Sequence, residues 1–499
     1  MTGEKRSRLV RGCEAIVGSA GVISAPDELR VYDCDALIFH HRSIPDLVVL
    51  PISTQQVAQV VRLCASEGVP FLPRGAGTGL SGGATPSHGG VVIVLTRMTR
   101  ILDLDIPNRM ATVEAGCINL WLTNAARTHG FFYAPDPASQ PACTIGGNVA
   151  ENAGGPHCLK YGVTTNHVLG VTAVLPDGDV VRLGGRILDA PGYDLLGVFV
   201  GAEGTLGLCT EVTLRLTPQP EAVKTILAVF KTIEDASNAV SGIIARGIIP
   251  VALEMIDRET IKAVEANVKA GYPLDAGAVL LIELEGLRAE IEAEAVGVEA
   301  ICREQGCLKV QTAKTEEERA LLWKGRKEAA GSFGRIARQY FIQDAVVPRT
   351  KLPAVLREVE AIASRYGVRV ANVFHAGDGN VHPMICYDRD IPGQLDLAMH
   401  ANDEIMRCCI QAGGTVTGEH GIGLEKREYL RLMYTPADLA VMQRVRQVLD
   451  PAGLCNPGKI FPEDEPRAES REPRDERPVP HDPGPVLQAP IPKHEESLR

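Results

Sequence analysis

No stretch of the 499 residues approaches the roughly 20 consecutive apolar positions of a membrane-spanning helix; the densest runs, Val91 to Leu95 and Ala278 to Ile282, are strand-sized. A bilayer span is therefore not expected. A secretory leader is not expected either. The charged segment Met1 to Arg11 passes into a mixed 12–25 stretch without an apolar core or a small-residue cleavage site, which points to the cytoplasm. Cysteines spaced for a cluster are also missing: the 13 present are scattered, with only Cys408 and Cys409 adjacent and no C-x-x-C. That excludes an obvious iron–sulfur ligand set and reads as reduced, mostly buried thiols. Positive charge is in deficit, 51 Lys and Arg against 62 Asp and Glu for a net −11, so nothing draws the whole chain to nucleic-acid phosphates. Aromatic residues make up only 4%. Glycine, by contrast, is plentiful at 50 residues, above its usual share of roughly 7%. Much of the backbone is being kept clear of side chains.

The length suits two or three domains. After Pro51, Ser53 and Gln56 predict a capping box, and Val57, Val60, Val61 and Cys64 form the apolar stripe of a helix ending at Gly68. Across 45–215 the pattern is one of short strands with few helices: Val69 to Leu72, Val91 to Leu95, Met110 to Glu114, Val168 to Leu175, Val180 to Arg182 and Gly207 to Leu216. Pro176 to Asp179 reads as a hairpin turn. Beyond Thr217 to Pro220, strands such as Thr225 to Phe230 and Ala278 to Glu285 alternate with helices, one carrying Ile233, Ala236, Val240, Ile243 and Ile244 on a face and another over 288–306. A largely helical end is expected over 395–449. From Glu463 onward 16 of 37 residues are charged and proline is dense, which reads as a disordered tail. The division is thus an N-terminal segment (1–42), a sheet-rich domain (43–220), an α+β domain (221–462) and the tail (463–499).

Arg74, Gly75, Ala76, Gly77, Thr78, Gly79, Leu80, Ser81, Gly82 and Gly83 follow a short apolar strand. Exposed amides in such a run can cradle a pyrophosphate, although a lone glycine run is as often a flexible turn. The run does not open a helix, which excludes a Rossmann fingerprint, and no Gly-Lys-Ser/Thr ends it, which excludes a Walker A loop. Two further runs, Cys143 to Gly155 and Gly201 to Gly207, tip the balance. Three glycine-rich turns at strand ends in one domain suit a single extended ligand, and a dinucleotide meets that demand.

A second set of residues concerns acid–base and metal chemistry. His375 and His382 flank the turn Gly377-Asp378-Gly379-Asn380, with apolar residues on both sides, so a hairpin could bring both rings to one side. Gly418-Glu419-His420-Gly421 adds a carboxylate and another imidazole. Two His and one Glu make a suitable ligand set for a divalent cation with positions left open for substrate. Three of the 12 histidines thus fall in two glycine-flanked turns.

Arg74 to Gly83, Pro135-Asp136-Pro137, Thr144 to Gly155 with Tyr161-Gly162, and Gly201 to Gly207 together resemble the FAD-binding domain of the vanillyl-alcohol oxidase/p-cresol methylhydroxylase superfamily, over about 43–220. The resemblance implies an α+β fold, with a two-subdomain FAD-binding domain and an α+β substrate domain. It also implies an FAD site drawing on Arg74 to Ser81, Pro135, Asp136, Thr144, Gly146, Gly147, Asn148, Asn152, Gly154, Gly155, Tyr161, Gly162, Glu203, Gly204 and Gly207. Relatives that attach FAD covalently use a His in the first loop or a Cys near the second. The first loop here has no His, and Cys143 reads as a small packed residue, so noncovalent FAD is expected. The 220–462 part, ending in Cys455-Asn456-Pro457-Gly458-Lys459-Ile460, resembles the C-terminal domain of FAD-linked 2-hydroxy acid dehydrogenases. In that comparison Asn456 joins the cofactor set, His375, His382 and Glu419 match the ligands of a metal (Zn or Mn), and His420 matches the base. Trp323-Lys324-Gly325-Arg326-Lys327 matches the segment whose Arg holds the substrate carboxylate; on sequence alone it is also an ordinary exposed basic turn.

The implied activity is oxidation of a small 2-hydroxy acid, glycolate or D-lactate, with hydride passing to flavin N5. Some relatives have Asn where Met384 stands, which weakens a D-2-hydroxyglutarate assignment, and over its whole length the chain resembles the glycolate oxidase type of FAD-linked subunit. That branch implies a second FAD-domain subunit and an iron–sulfur subunit as partners, through which the enzyme could sit peripherally at the membrane. A metal-dependent hydrolase built on His375, His382 and Glu419 would leave the glycine turns unexplained. A non-catalytic FAD scaffold is the other alternative.

Overall fold

The helix expected after Pro51 runs over Thr54–Ser66 in the computed structural model, which describes residues 2–37, 42–187, 191–335 and 337–463. Ser53 Oγ accepts the Gln56 N–H at 3.3 Å, while the Gln56 side chain reaches past the cap to the Ile52 N–H at 2.8 Å. The helix therefore has the expected cap but not the reciprocal box. It buries Val57, Val60, Val61 and Cys64 in one apolar cluster with Leu47, Val49, Phe71, Val91 and Ile93, which belong to a four-stranded sheet in the order Val22–Ile23, Leu47–Val49, Val91–Val94, Phe71–Arg74. The last three strands run parallel. Val91–Val94 is buried at every position, as a strand covered on both faces must be. Arg74 ends its strand, so the first glycine run leaves from the carboxyl end of a parallel sheet, where such sheets bind ligands.

A five-stranded antiparallel sheet follows in the order Ile101–Asp105, Met110–Glu114, Leu208–Arg215, Val168–Val174, Val180–Gly184. Pro176 to Asp179 makes the predicted hairpin turn, with Gly178 at φ +87° and the Leu175 N–H on Asp179 O at 2.8 Å. The second glycine run departs from expectation. It is not a turn at a strand end: Ile145–Glu151 is a helix, capped by Thr144 Oγ1 on the Gly147 N–H and ended by Asn152 at φ +50°. Two glycines inside a helix weaken it by about 1 kcal/mol each, and packing explains one of them, since a Cβ on Gly146 would stand 2.7 Å from the Ala115 Cβ. Another helix, Asn119–Arg127, was hidden by the mixed polarity of its residues.

The remainder is organised on an eight-stranded antiparallel sheet. Its path is Lys309–Thr312, Ala222–Phe230, Ala278–Gly286, Ala252–Asp257, Arg369–His375, Asn380–Tyr387, Gln339–Ile342, with Ala345–Val346 also paired to Asn380–Tyr387. Strand alternation sorts side chains to two apolar clusters. Ile226, Ala228 and Phe230 pack with residues of Ile233–Ala245, Arg288–Glu304 and Leu352–Tyr366, whereas Leu227 and Val229 face Trp323, Ile261 and Phe333. A third cluster draws on Leu9 to Leu216 together with Cys455. Residues up to Pro462 form one compact unit. The expected helical end is interrupted: Gln394–Gln411 and Pro436–Leu449 are helices, but most of the segment between them, including Glu419 and His420, is irregular. After the last helix the chain returns to the first sheet, where Phe71 exchanges backbone hydrogen bonds with Leu454 and Asn456 at 2.9 and 2.7 Å. From residue 464 on, the tail expected to be disordered lies outside the described residues.

Candidate active site

Arg74 to Leu80, Thr144, Gly146 to Asn148, Gly154, Glu203, Gly204 and Gly207 line one cavity of about 450 Å³, and Glu419 and His420 line it too. All three glycine runs and the imidazole turn thus converge. Among the described residues, the backbone N–H groups of Gly75 to Leu80 donate to no protein acceptor, which leaves a row of amides open to an anion. Side chains are excluded where the walls are tightest: a Cβ on Gly75 would stand 2.3 Å from Thr144 Oγ1, and Gly77 needs φ +72°. Cys143 also lines the cavity, with its thiol pKa pushed up by burial, which makes it a poor nucleophile.

Other residues predicted for the cofactor lie behind the wall. Ser81 O accepts the Leu424 N–H at 2.8 Å, and Pro135 O accepts Asn119 Nδ2 at 3.0 Å. Asp136 pairs with His157 Nδ1 at 2.8 Å, Gly155 packs on Asp136, and Asn152 Oδ1 accepts the Thr165 N–H at 2.8 Å. Tyr161 donates to Glu285, and Gly162 turns at φ +76° against Asn166. Asn456 Nδ2 ties Gly83 O to Glu203 O at 2.9 and 2.7 Å. These residues hold the wall in place.

The two histidines arrive by hairpin arithmetic. Val373 pairs with His382 and His375 with Asn380 across the turn, so His375 and His382 share one face of the sheet. Gly379, at φ +84° with its Cβ position 2.1 Å from Val347 O, permits the tight return. Their rings meet edge to face with centroids 5.1 Å apart. His375 Nδ1 bonds Glu254 at 2.9 Å and His382 Nδ1 donates to Gln343 O at 2.9 Å. Both Nε2 atoms converge on Glu419 Oε1, at 3.2 and 3.3 Å. Ligand atoms of His375, His382 and Glu419 all lie within 4.8 Å of one another. This donor set, with a partner behind each imidazole, fits a divalent cation. Asp344, His382 and His420 form a second such group. Asp344 is already engaged by Thr417, three backbone N–H groups and Lys426.

Electrostatics separates the roles. Burial opposes charge on His375, but Glu254 and Glu419 overcome it and hold its pKa well above the usual imidazole value. Burial likewise opposes ionisation of Glu419, and His375 and His382 reverse the effect to bring it well below the usual carboxylate value. His420 behaves in the opposite way. Burial, helped by His382 and Lys426 against Asp344, brings its pKa down to about 4 and keeps the ring neutral at physiological pH. Its Nδ1 lies 3.9 Å from Asp344 Oδ2 and its Nε2 3.7 Å from Glu419 Oε1.

Arg326 does not occupy the exposed basic turn that its sequence equally allowed. At the end of the Glu316–Lys327 helix it is 8% exposed, paired with the fully buried Glu254 at 2.5 Å and 3.4 Å from His375 Nδ1. Its Nε is buried without a partner. Sequence reasoning missed Glu254 and Asp344, both 0% exposed. A signal existed for each: a lone carboxylate within an apolar run, Leu253-Glu254-Met255 and Phe341 to Val347.

The model described as "FAD binding domain" matches residues 45–184, and that described as "FAD linked oxidases, C-terminal domain" matches 219–460. The chain is 44% identical over 441 residues to the glycolate oxidase subunit GlcD of Escherichia coli (strain K12), covering 88% of each chain. It is 40% identical over 435 residues to the subunit of that name in Bacillus subtilis (strain 168), covering 87% of this chain and 92% of that one. A D-lactate dehydrogenase of Anaerostipes hadrus is 34% identical over 436 residues, with 85% and 91% covered. In fold the chain is similar to p-cresol methylhydroxylase with substrate bound, at TM-score 0.78 and 17% identity over 92% of this chain and 97% of that one.

Proposed function

Because the chain belongs to the family of FAD-linked oxidases and is an FAD-dependent oxidoreductase, we propose that it oxidises a small 2-hydroxy acid, glycolate foremost, to the 2-oxo acid. One observation carries this reading: Glu419 and His420 line the same cavity as the open amides of the first glycine run. FAD, held noncovalently, supplies the hydride acceptor. Arg326 binds the substrate carboxylate, which gives its buried Nε the acceptor that the protein withholds. His420, neutral at working pH and with Nδ1 directed at Asp344, takes the hydroxyl proton at Nε2. His375, His382 and Glu419 would hold a divalent cation, Zn or Mn, which would supply Lewis acidity. Within this reading 43–220 is the FAD-binding domain and 221–462 the substrate domain.

The 13 cysteines are all free and isolated from any cluster motif, and in this reading the electrons pass to a partner polypeptide or a quinone-linked acceptor. An iron–sulfur subunit and a second FAD-domain subunit are the partners proposed, on the resemblance to a glycolate oxidase subunit. Among the described residues no helix is long and apolar enough to cross a membrane. A cytoplasmic position, with peripheral attachment through partners, is part of the same proposal. The family and the glycine-lined cavity weigh against the hydrolase, and the placement of His420 weighs against an inert scaffold.

The deciding experiment is anaerobic mixing of the purified flavoprotein with glycolate, both lactate enantiomers and D-2-hydroxyglutarate. Bleaching of the flavin band is expected with glycolate, and a D-lactate response as strong or stronger would select the alternative. H420A should keep its FAD and lose bleaching; bleaching at the wild-type rate removes His420 from the mechanism.

A further inference from the structure

The loop that carries Glu419 and His420 has no regular structure to hold it, yet it is gripped at both ends by buried carboxylates. At its start Asp344 accepts the N–H groups of Gly418, Glu419 and His420 at 3.1, 3.3 and 2.9 Å. At its far end Glu203 accepts those of Ile422 and Gly423, each at 2.7 Å. The two anchors come from different parts of the fold. Asp344 lies beside the eight-stranded sheet, whereas Glu203 belongs to the third glycine run and lines the cavity.

Glu203 is held in an unusual state for this task. It sits at φ +51°, a left-handed conformation that a side chain disfavours. Its own N–H bonds Ala150 O at 2.8 Å, at the end of the Ile145–Glu151 helix, and its carbonyl takes Asn456 Nδ2 at 2.7 Å. The loop it grips is threaded against the first glycine run as well: the Leu424 N–H bonds Ser81 O at 2.8 Å, and a Cβ on Gly423 would stand 2.1 Å from that oxygen. On the other side, a Cβ on Gly421 would meet Glu151 Oε2 at 2.3 Å and Glu203 Oε1 at 3.0 Å. The residues flanking His420 are thus packed on the walls of the cofactor cavity.

We propose that Glu203 is a positioning residue which couples occupancy of the cofactor cavity to the placement of His420. The inference rests on FAD filling that cavity. A ligand that orders the walls of the cavity orders Glu203, and Glu203 passes that order to the loop through its two bonds from the Ile422 and Gly423 N–H groups. Its carboxylate serves the loop, and its contribution to holding FAD is secondary.

Hydrogen exchange of the 417–424 peptide, measured on the full chain with FAD and after FAD removal, tests this directly. In the wild type FAD should slow exchange of the segment by about tenfold or more. E203Q and E203D should retain FAD to within about threefold, lose most of that slowing, and reduce flavin about tenfold more slowly with glycolate at little-changed KM. Wild-type exchange indifferent to FAD overturns the proposal, as does E203Q bleaching at the wild-type rate. Loss of FAD from both variants also overturns it, by making Glu203 a cofactor ligand. A wild-type chain that takes up no FAD would instead sink the underlying reading, and the flavin spectrum reveals that before any exchange is measured.

Discussion

Glu254 shows how one buried carboxylate can serve two functional groups. It neutralises Arg326 and also accepts from His375 Nδ1, so it sets the direction of a guanidinium and the tautomer of an imidazole at once. Burial raises its pKa, but Arg326 and His375 more than reverse the effect. E254A should therefore leave two buried cationic groups unpaired and cost about 3–5 kcal/mol of stability. The milder E254Q should fold, lose roughly 10–100-fold in metal affinity, and show a raised KM; metal analysis after dialysis checks the first effect and steady-state kinetics the second. R326K keeps the charge but loses the planar fork, and a KM raised by about tenfold or more is expected from titration of the 2-hydroxy acid.

Two helices hold the halves of the site in register. Ile145–Glu151 packs so closely on Ala115 that G146A should cost about 1–3 kcal/mol through overpacking and loosen FAD, which thermal unfolding and flavin content would report. Glu316–Lys327 carries Arg326 and is tied to the FAD side by His157. That ring lies between Asp136 at 2.8 Å and Glu283 at 3.7 Å, and Glu283 also holds Arg319 and Trp323 of the helix. Burial works against charge on His157, but Asp136 and Glu283 bring its pKa up to about 10 from 6.5. A pKa raised on folding stabilises the protein fully below the unfolded value and loses that contribution as pH rises through the folded one. The stability gap between wild type and H157Q should therefore be largest below about pH 6.5 and shrink as pH approaches 10. Urea melts across that range measure it, and a gap that is constant with pH would remove the ion pair from the account.

For the molecule as a whole, the closing segment after the last helix matters as much as the glycine runs. Lys459, 1% exposed, donates to Thr85 O at 2.6 Å and Asn456 Oδ1 at 2.9 Å and faces Asp35, Glu203 and Glu151. K459M should leave those carboxyl groups without their cation and lower stability by about 3–5 kcal/mol, seen as a lower melting temperature of the flavoprotein. Electron flow is also decided by the entire chain. With no cluster motif among 13 free cysteines, the isolated protein should bleach with substrate, and steady-state turnover should rise when an artificial electron acceptor is added.

Local pattern carried much of this. Glycine runs, the parity of a hairpin and the types of the clustered residues are properties of neighbours in the chain, and they made the glycine-lined cavity and the gathering of His375, His382 and Glu419 legible before any coordinates. The helix within the second glycine run was not legible, because Gly146 answers to its packing on Ala115 and not to helix propensity. The partners of the charged groups were beyond reach as well. A lone Glu in an apolar strand announces that it must be neutralised, but not by whom. Glu254 meets His375 across 121 positions, and Glu203 meets Ile422 across 219. Only the packed fold brings such pairs together, since burial makes an unpaired charge too costly and leaves each carboxylate to be matched by whatever donor the topology delivers.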